Sequence, residues 1–295
     1  MPAPPTPATI SVVIVALNEG KHLRNTVECF RRTLPEGSQI VVIDDGSEDG
    51  SADFLRGRNG GVKLIETRHI GVARGRNLGA RQTTADVVLF SDAHIEMAEG
   101  WAAPMLELLA DPAVGGVAPA VTDMEHPENR GCGLQLTGPD PAEKWIGAPG
   151  DHAFQAPLLP WCSTAMRRDV FQATGGFDEG MIRWGQIDNE MSVRLWLLGY
   201  QLWVVPNVEA RHLFRERRPY RCEWSWPIHN KLRLSFVHFN ADRVARVVKA
   251  LRGHDSFPEA IGLLAEGDVS ARRAAVHARR VHDAEWFFER FGPSW

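Results

Sequence analysis

The chain has 295 residues, 44% apolar and 24% charged, with a formal net charge of −4. That length buries a full core, so one large domain, or one domain with a C-terminal extension, is expected, and the acidic balance argues against a nucleic-acid polyanion as the main partner. Cys29, Cys132, Cys162 and Cys222 stand too far apart for a CxxC zinc site or a disulfide framework, which suits a reducing compartment and predicts a cytoplasmic protein.

Residues 1–9 are Pro-rich, lack a signal-peptide pattern, and are expected to form a disordered tail. Ile10–Ala16 is apolar and mostly β-branched, a strand buried on both faces, stopped by Asn18-Glu19-Gly20. Residues 21–33 carry a helical pattern through Leu23, Val27 and Phe30. A second strand over 40–43 ends at Asp44-Asp45-Gly46-Ser47. A short helix over 51–55, a strand over 62–65 and a Gly-punctuated helix over 71–80 follow. Residues 86–90 read as a fourth strand, 101–109 as a helix and 114–121 as a strand. Residues 122–150, rich in Gly, Pro and charge, read as an irregular insertion near a site. Then come a strand over 158–166, a short helix over 168–173, an amphipathic helix over 189–198 and a final strand over 201–205. From 228 the chain reads helical, through 239 and again over 271–290. Strands alternating with helices predict an α/β domain over 10–225, a mostly parallel sheet flanked by helices, with a helical extension over 226–295. No apolar run approaches the ~20 residues of a membrane helix.

The chain is organised around Val87-Val88-Leu89-Phe90-Ser91-Asp92-Ala93-His94. In extended backbone Asp92 and His94 project to one side, where a carboxylate and an imidazole can share a divalent metal. Ligands of open α/β sheets bind outside the carboxyl ends of the strands, where this pair falls. His212, just past the last predicted strand, is the best third ligand. Two imidazoles and an acid suit Mn²⁺, with Mg²⁺ possible and Zn²⁺ open from ligand type. Asp44 and Asp45 can accept hydrogen bonds from a base or ribose, or simply cap the next helix. Arg74 and Arg76 can neutralise phosphate oxygens, or lie on a solvated face. Asp188, near a helix start, is either an N-cap or a general base. Trp161, Trp184, Trp203, Trp224 and Trp226 offer faces to an acceptor or fill the core.

Taken in order, Ala16-Leu17-Asn18-Glu19, Val42-Ile43-Asp44-Asp45-Gly46-Ser47, Arg74 to Gly79, Ser91-Asp92-Ala93-His94 and Gly175-Gly176-Phe177-Asp178 resemble the GT-A-fold glycosyltransferases of family 2. The acid motif ends here in His94 where that family usually has a second aspartate. Asp92-Ala93-His94 with Glu96, Gly180-Met181 with Trp184-Gly185, and His212-Leu213-Phe214-Arg215 are similar to the polypeptide N-acetylgalactosaminyltransferases. The resemblance implies a Rossmann-like GT-A fold and Mn²⁺ on Asp92, His94 and His212. It also implies a donor site that includes Ala16, Asn18, Glu19, Asp44, Asp45, Arg74, Arg76, Ser91, Asp92 and Trp184. Family-2 enzymes carry an aspartate six residues before an arginine. Counting back from Arg194 gives Asp188, which favours an inverting reaction with Asp188 as base, although Ile187 replaces the acid before it; the resemblance to the polypeptide transferases, which carry a Glu-Asn at those positions, implies retention instead.

The expected activity is transfer of a hexosyl or N-acetylhexosaminyl group from a nucleotide-sugar, by resemblance UDP-linked, to an acceptor hydroxyl or thiol. A peptide Ser, Thr or Cys is the preferred acceptor, and a saccharide or lipid-linked acceptor competes. A nucleotidyltransferase is less favoured, because Ala16-Leu17-Asn18-Glu19 stands where such enzymes usually carry a Gly-rich, Lys/Arg-containing loop. The sequence leaves the oligomeric state open.

Overall fold

The structure, a computed structural model, describes residues 9–57, 60–217, 219–292 and 295. Residues 1–8 of the expected tail lie outside the described residues. Thr9 is tied down: its N and Oγ1 donate to Asp86 at 3.0 and 3.1 Å, and its carbonyl accepts the Val87 N–H.

The β-branched runs form β1 (Ile10–Ala16), β2 (Gln39–Asp44), β3 (Val62–Glu66) and β4 (Val87–Asp92), joined by α1 (Lys21–Thr33), a 3-10 turn at Asp53–Leu55, and α2 (Val72–Arg81). These four strands are parallel, in the order β3-β2-β1-β4. Next come β5 (Ile95–Met97), α3 (Ala102–Leu109), β6 (Val114–Asp123), and four short strands, β7 (Arg130–Gly131), β8 (Leu134–Leu136), β9 (Glu143–Trp145) and β10 (Phe154–Gln155). The chain then forms β11 (Ser163–Arg167), α4 (Arg168–Thr174), α5 (Ile187–Leu197) and β12 (Gln201–His212). It ends in α6 (Ser225–His238), α7 (Ala241–Leu251), α8 (Phe257–Glu266), α9 (Val269–His277) and α10 (Ala284–Phe291).

The sheet is mostly parallel, as expected, with antiparallel pairing where β11 runs against both its neighbours, β4 and β6. The excursion after β6 supplies the reason. A parallel return needs a crossover along the full sheet, whereas residues 124–162 return at the edge where β6 ends, Ser163 pairing with Ser91 beside Asp92. The strand expected over 158–166 is shorter for the same cause: Trp161 and Cys162 form the turn that reverses the chain. The carboxyl ends of β1, β2, β4, β6 and β12 therefore share one edge.

Alternation along the strands divides two cores. Val13, Val41, Ile43, Val88 and Phe90 face one cluster with Phe171, Phe177 and Trp196. Ile14, Val42, Val87 and Leu89 face the other, with Phe30 of α1, Met105 of α3 and Trp101 just before α3. The C-terminal helices share the first cluster through Leu232, Phe239, Val247, Leu264 and Phe288, so the extension is packed onto the sheet layer and not held apart from it. Helix α5 is not amphipathic as expected: all but one of its residues are buried, Glu190, Ser192 and Arg194 among them. The segment expected to be helical over 271–290 breaks between α9 and α10.

Helix α2 lies close on β1 because Gly75 and Gly79 leave room for the valines beneath. A Cβ at Gly79 would stand 2.3 Å from Val13 Cγ1. Gly79→Ala is expected to cost about 1–3 kcal/mol through overpacking, read as a lower urea midpoint. Wild-type stability would show that the layer relaxes freely.

Candidate active site and metal centre

The site forms where the shared strand edge opens into a groove of about 1080 Å³. Strand β4 delivers Asp92 at its last position, and Ala93-His94 form a turn, not the extended strand that alternation assumed. Ala93 is fully buried, which anchors the turn. The chain re-enters as β5, paired antiparallel with β12 so that Ile95 opposes His212. Strand β12 reaches that far because it continues past the expected end at 205. The register shift between Val205 and Glu209 absorbs Pro206, which has no N–H for a ladder.

Asp92, His94 and His212 thereby converge, one ligand atom from each lying within 4.8 Å of the others. His212 Nε2 and Asp92 Oδ2 are 3.4 Å apart, and the two imidazoles meet edge-on at 4.7 Å. Ligands about 2.1 Å from a metal stand about 3 Å apart when adjacent, so the donor set fits a single divalent ion after small side-chain adjustments. His94 Nδ1 is engaged by Glu19 Oε2 at 3.1 Å, which leaves Nε2 for coordination. Burial pushes the Asp92 carboxyl up, but the His212 hydrogen bond and the Arg76 charge outweigh it and hold Asp92 well below the ordinary carboxylate range. The ligand is thus ionised at neutral pH.

Arg76 connects the metal side to Asp188. Its buried guanidinium donates to Asp188 Oδ1 at 2.9 Å, to the Trp161 carbonyl at 2.9 Å and to Asp92 Oδ1 at 3.3 Å. Burial pulls the Arg76 pKa down, but the Asp188 and Asp92 charges outweigh it and keep the group protonated. Asp188 Oδ2 accepts the Trp161 N–H at 3.1 Å. Burial raises the Asp188 carboxyl from its ordinary value, with Arg76 offsetting only part of that shift. Arg194, six residues on, does not pair with Asp188; it closes on Glu190 inside the core.

Ala16, Asn18, Glu19, Asp45, Arg76, Asp92, Trp184 and Asp188 line the groove, as do His94 and His212. Three expected donor residues do not. Asp44 is buried, and its Oδ1 accepts the Ser47 N–H in a turn. Arg74 is exposed and donates to the Glu179 carbonyl. Ser91 is buried, its hydroxyl donating to the Asp92 carbonyl. Each obeys a local rule: acids at strand ends make turns, successive residues of a strand point to opposite faces, and residues two apart on a helix do not share a face. Asp45 reaches the groove wall, but its carboxylate already accepts from Thr67 Oγ1, Ile70 N and Gly71 N, which holds the loop before α2. Gly71 allows that loop to close: its φ is +85°, and a Cβ would meet Arg183 Cα at 3.0 Å. Of the five tryptophans, Trp161 is core, Trp203 is half-buried on the second cluster, and Trp184, Trp224 and Trp226 face the groove.

The sequence did not single out Glu143 or Lys231, which also line the groove. Glu143 of β9 accepts hydrogen bonds from Gln186 and Asn189 at 2.9 and 3.0 Å, and Lys231 of α6 pairs with Asp140 at 2.5 Å. Both acids sit in the aperiodic 122–150 segment, where no pattern marks a functional face. Arg215, the last residue of the His212-Leu213-Phe214-Arg215 motif, pairs with Glu19, a role that the motif by itself does not assign.

Comparison with known proteins bears on this geometry. The chain is 29% identical to Polypeptide N-acetylgalactosaminyltransferase 11 of Xenopus tropicalis, over 98% of its own length and 51% of that protein. It is 26% identical to Polypeptide N-acetylgalactosaminyltransferase 9 of Homo sapiens, over 96% and 50%. The chain thus spans about half the length of these curated relatives. Among solved structures it superposes on GalNAc-T7 with UDP, GalNAc and Mn²⁺, with a TM-score of 0.78 and 23% identity, covering 96% of this chain and 56% of that one. A mannosyltransferase from Pyrobaculum calidifontis in complex with GDP-Man and Mn²⁺ superposes with a TM-score of 0.56 and 18% identity, covering 91% and 79%. These likenesses establish the GT-A-like fold. A family model described as the N-terminal domain of galactosyltransferase matches residues 160–217, which carry Asp188 and His212. The model of glycosyl transferase family 2 matches residues 11–173, more than half of the chain, and the chain belongs to that family.

Proposed function

We propose that the protein is a metal-dependent glycosyltransferase that moves a sugar from a UDP-linked donor to a hydroxyl, with a peptide Ser or Thr as the acceptor. The observation that carries this reading is the convergence of Asp92, His94 and His212 at the strand edge. The names of the relatives and the UDP and Mn²⁺ of the GalNAc-T7 complex support the donor, the metal and the acceptor class. Asp92, His94 and His212 would hold Mn²⁺, which supplies Lewis-acid charge to the departing diphosphate oxygens. Arg76 keeps Asp92 and Asp188 in place and screens their repulsion. Asp188, whose raised pKa suits proton transfer, takes the acceptor proton as base, and the product is inverted at the anomeric carbon. Trp184 and Trp224, exposed residues that line the groove, would offer aromatic faces to the acceptor. All four cysteines are free thiols, three of them buried, which supports the cytoplasm as its place of action. Among the described residues no helix is long and apolar enough to cross a membrane.

The test is a panel of nucleotide-sugars with Mn²⁺, read by nucleotide release, followed by mass spectrometry of peptide acceptors. Release from UDP-sugars, with a sugar mass added to a Ser/Thr peptide, is expected. No release from any donor rejects the function. Asp188→Asn is expected to retain donor binding and to lose about 10²–10⁴-fold in transfer. The anomeric configuration of the product, read by NMR, checks the same assignment. Retention, or near-normal transfer by the variant, removes Asp188 from the base role.

A further inference from the structure

Glu19 lines the groove, yet its carboxylate points at the protein. The residue is 6% exposed. Oε2 meets His94 Nδ1 at 3.1 Å and Arg215 Nη2 at 2.5 Å. Its backbone setting is built to hold it there. Asn18 and Gly20, on either side, both take positive φ, 56° and 55°. Asn18 is locked by its N–H to Ser47 Oγ and by its Oδ1 accepting the Glu48 N–H, and Gly20 N donates to Asp49. A non-glycine residue at positive φ is a strained choice that persists only where the surroundings fix it. The result is a buried carboxylate turned away from the open groove toward one ring nitrogen.

The two imidazoles of the centre differ in this respect. His212 Nδ1 is buried and has no hydrogen-bond partner among the described residues. His94 Nδ1 has one. We propose that Glu19 is the positioning residue of the metal centre: by accepting the His94 Nδ1–H it fixes the tautomer that leaves Nε2 free for the metal, while Arg215 keeps its carboxylate aimed. The inference rests on the metal-dependent reading above. A carboxylate behind a ligating imidazole fixes the ring's orientation and raises the basicity of the ligating nitrogen, and losing such a partner commonly costs 10–100-fold in metal affinity. Arg215 adds a structural consequence. It lies just beyond β12, and the Leu213 N–H donates to the His94 carbonyl at 3.2 Å. The strand that brings His212 thus also brings the cation that holds the His94 partner. Glu19 joins the first helix to both arms of the centre.

The experiment titrates MnCl₂ into the full chain and follows the free Mn²⁺ signal by electron paramagnetic resonance. Glu19→Gln keeps the shape and an acceptor oxygen but loses the charge, and about tenfold weaker binding is expected. Glu19→Ala removes the acceptor, and a loss nearer 100-fold is expected. In the metal-free protein, ¹⁵N NMR of the His94 ring is expected to report Nδ1–H in the wild type and a shift toward Nε2–H in Glu19→Ala, a change that a purely structural role would not produce. Wild-type protein without Mn²⁺ affinity would remove the metal centre and this proposal with it. Wild-type protein that binds, alongside Glu19→Gln that binds equally well, would leave the centre standing and overturn the role of Glu19. Should Glu19→Ala fail to fold, the Glu19→Gln titration decides alone.

Discussion

Replacing His94 with alanine is expected to lower sugar transfer by about 10³-fold or more, while leaving the fold intact. The size follows from what the centre does. Charge stabilisation of a departing diphosphate amounts to several kcal/mol, and about 4 kcal/mol corresponds to about 10³ in rate. His94 supplies one of three protein donors, and the remaining pair, Asp92 and His212, already interact with each other at 3.4 Å. The variant should therefore bind Mn²⁺ far more weakly, and excess metal should restore only part of the activity. Structural damage should be small. The imidazole sits at the groove, whereas the turn is anchored by buried Ala93 and by Ile95, whose N–H donates to Thr26 Oγ1 at 2.9 Å. Glu19 also retains Arg215 as a partner. Nucleotide release, Mn²⁺ titration and the thermal midpoint measured together separate the two effects. Full turnover by the variant, or by the wild type in a chelator, would sink the metal-dependent mechanism.

The parts of this site that could be read in the sequence are those set by short-range periodicity. β-branched runs bounded by glycine gave the parallel strands, and the acid at the end of β4 lies where a carboxyl-edge site requires it. Strand alternation placed Asp92 and His94 together for the wrong local reason, since His94 lies in a turn. Long-range pairing was less legible. Nothing near Pro206 announces that β12 resumes after its bulge and carries His212 to the edge. Local spacing also leaves roles open when two of them share a pattern. Asp44 and Asp45 stand where donor-binding acids are expected, yet both carboxylates are occupied by backbone N–H groups. The Gly175-Gly176-Phe177-Asp178 run does not line the groove. Gly176 takes a φ of +72° against Asn77, and Asp178 forms a buried pair with Arg233 of α6. Arg194, read from its distance to Asp188, belongs to that same interior network.

That network carries the largest expected effect on stability. Glu190→Ala should destabilise the fold by about 3–5 kcal/mol, the cost of leaving a buried charge without its partner. Glu190 is fully buried and meets Arg194 through both oxygens, at 2.8 and 3.0 Å. The other Arg194 donors close on the Thr174 and Gly176 carbonyls at 2.9 and 2.7 Å, which ties α5 to the turn after α4. His238 of α6 adds its Nε2 to Glu190 at 3.0 Å. Arg194, Arg233 and Arg272 together face Glu190, Asp178 and Asp268, so deleting one carboxylate leaves an excess of positive charge in low dielectric. The pH dependence has a definite sign. Burial pushes the Glu190 carboxyl up, but Arg194 and His238 outweigh it and hold it well below the ordinary range. A depressed carboxylate contributes stability that is present above the unfolded pKa of about 4.3 and lost as pH falls below it. Burial also lowers the His238 pKa, and a buried neutral histidine loses stability as pH falls below about 6.5. Wild-type protein should therefore lose stability in two stages on acidification, the second of which is blunted in Glu190→Ala. Urea unfolding across pH 3–7 reads both quantities. A destabilisation below about 1 kcal/mol at pH 7, the range of exposed pairs, would show that the surrounding carboxylates compensate and that α5 does not depend on this residue for its place beside the groove.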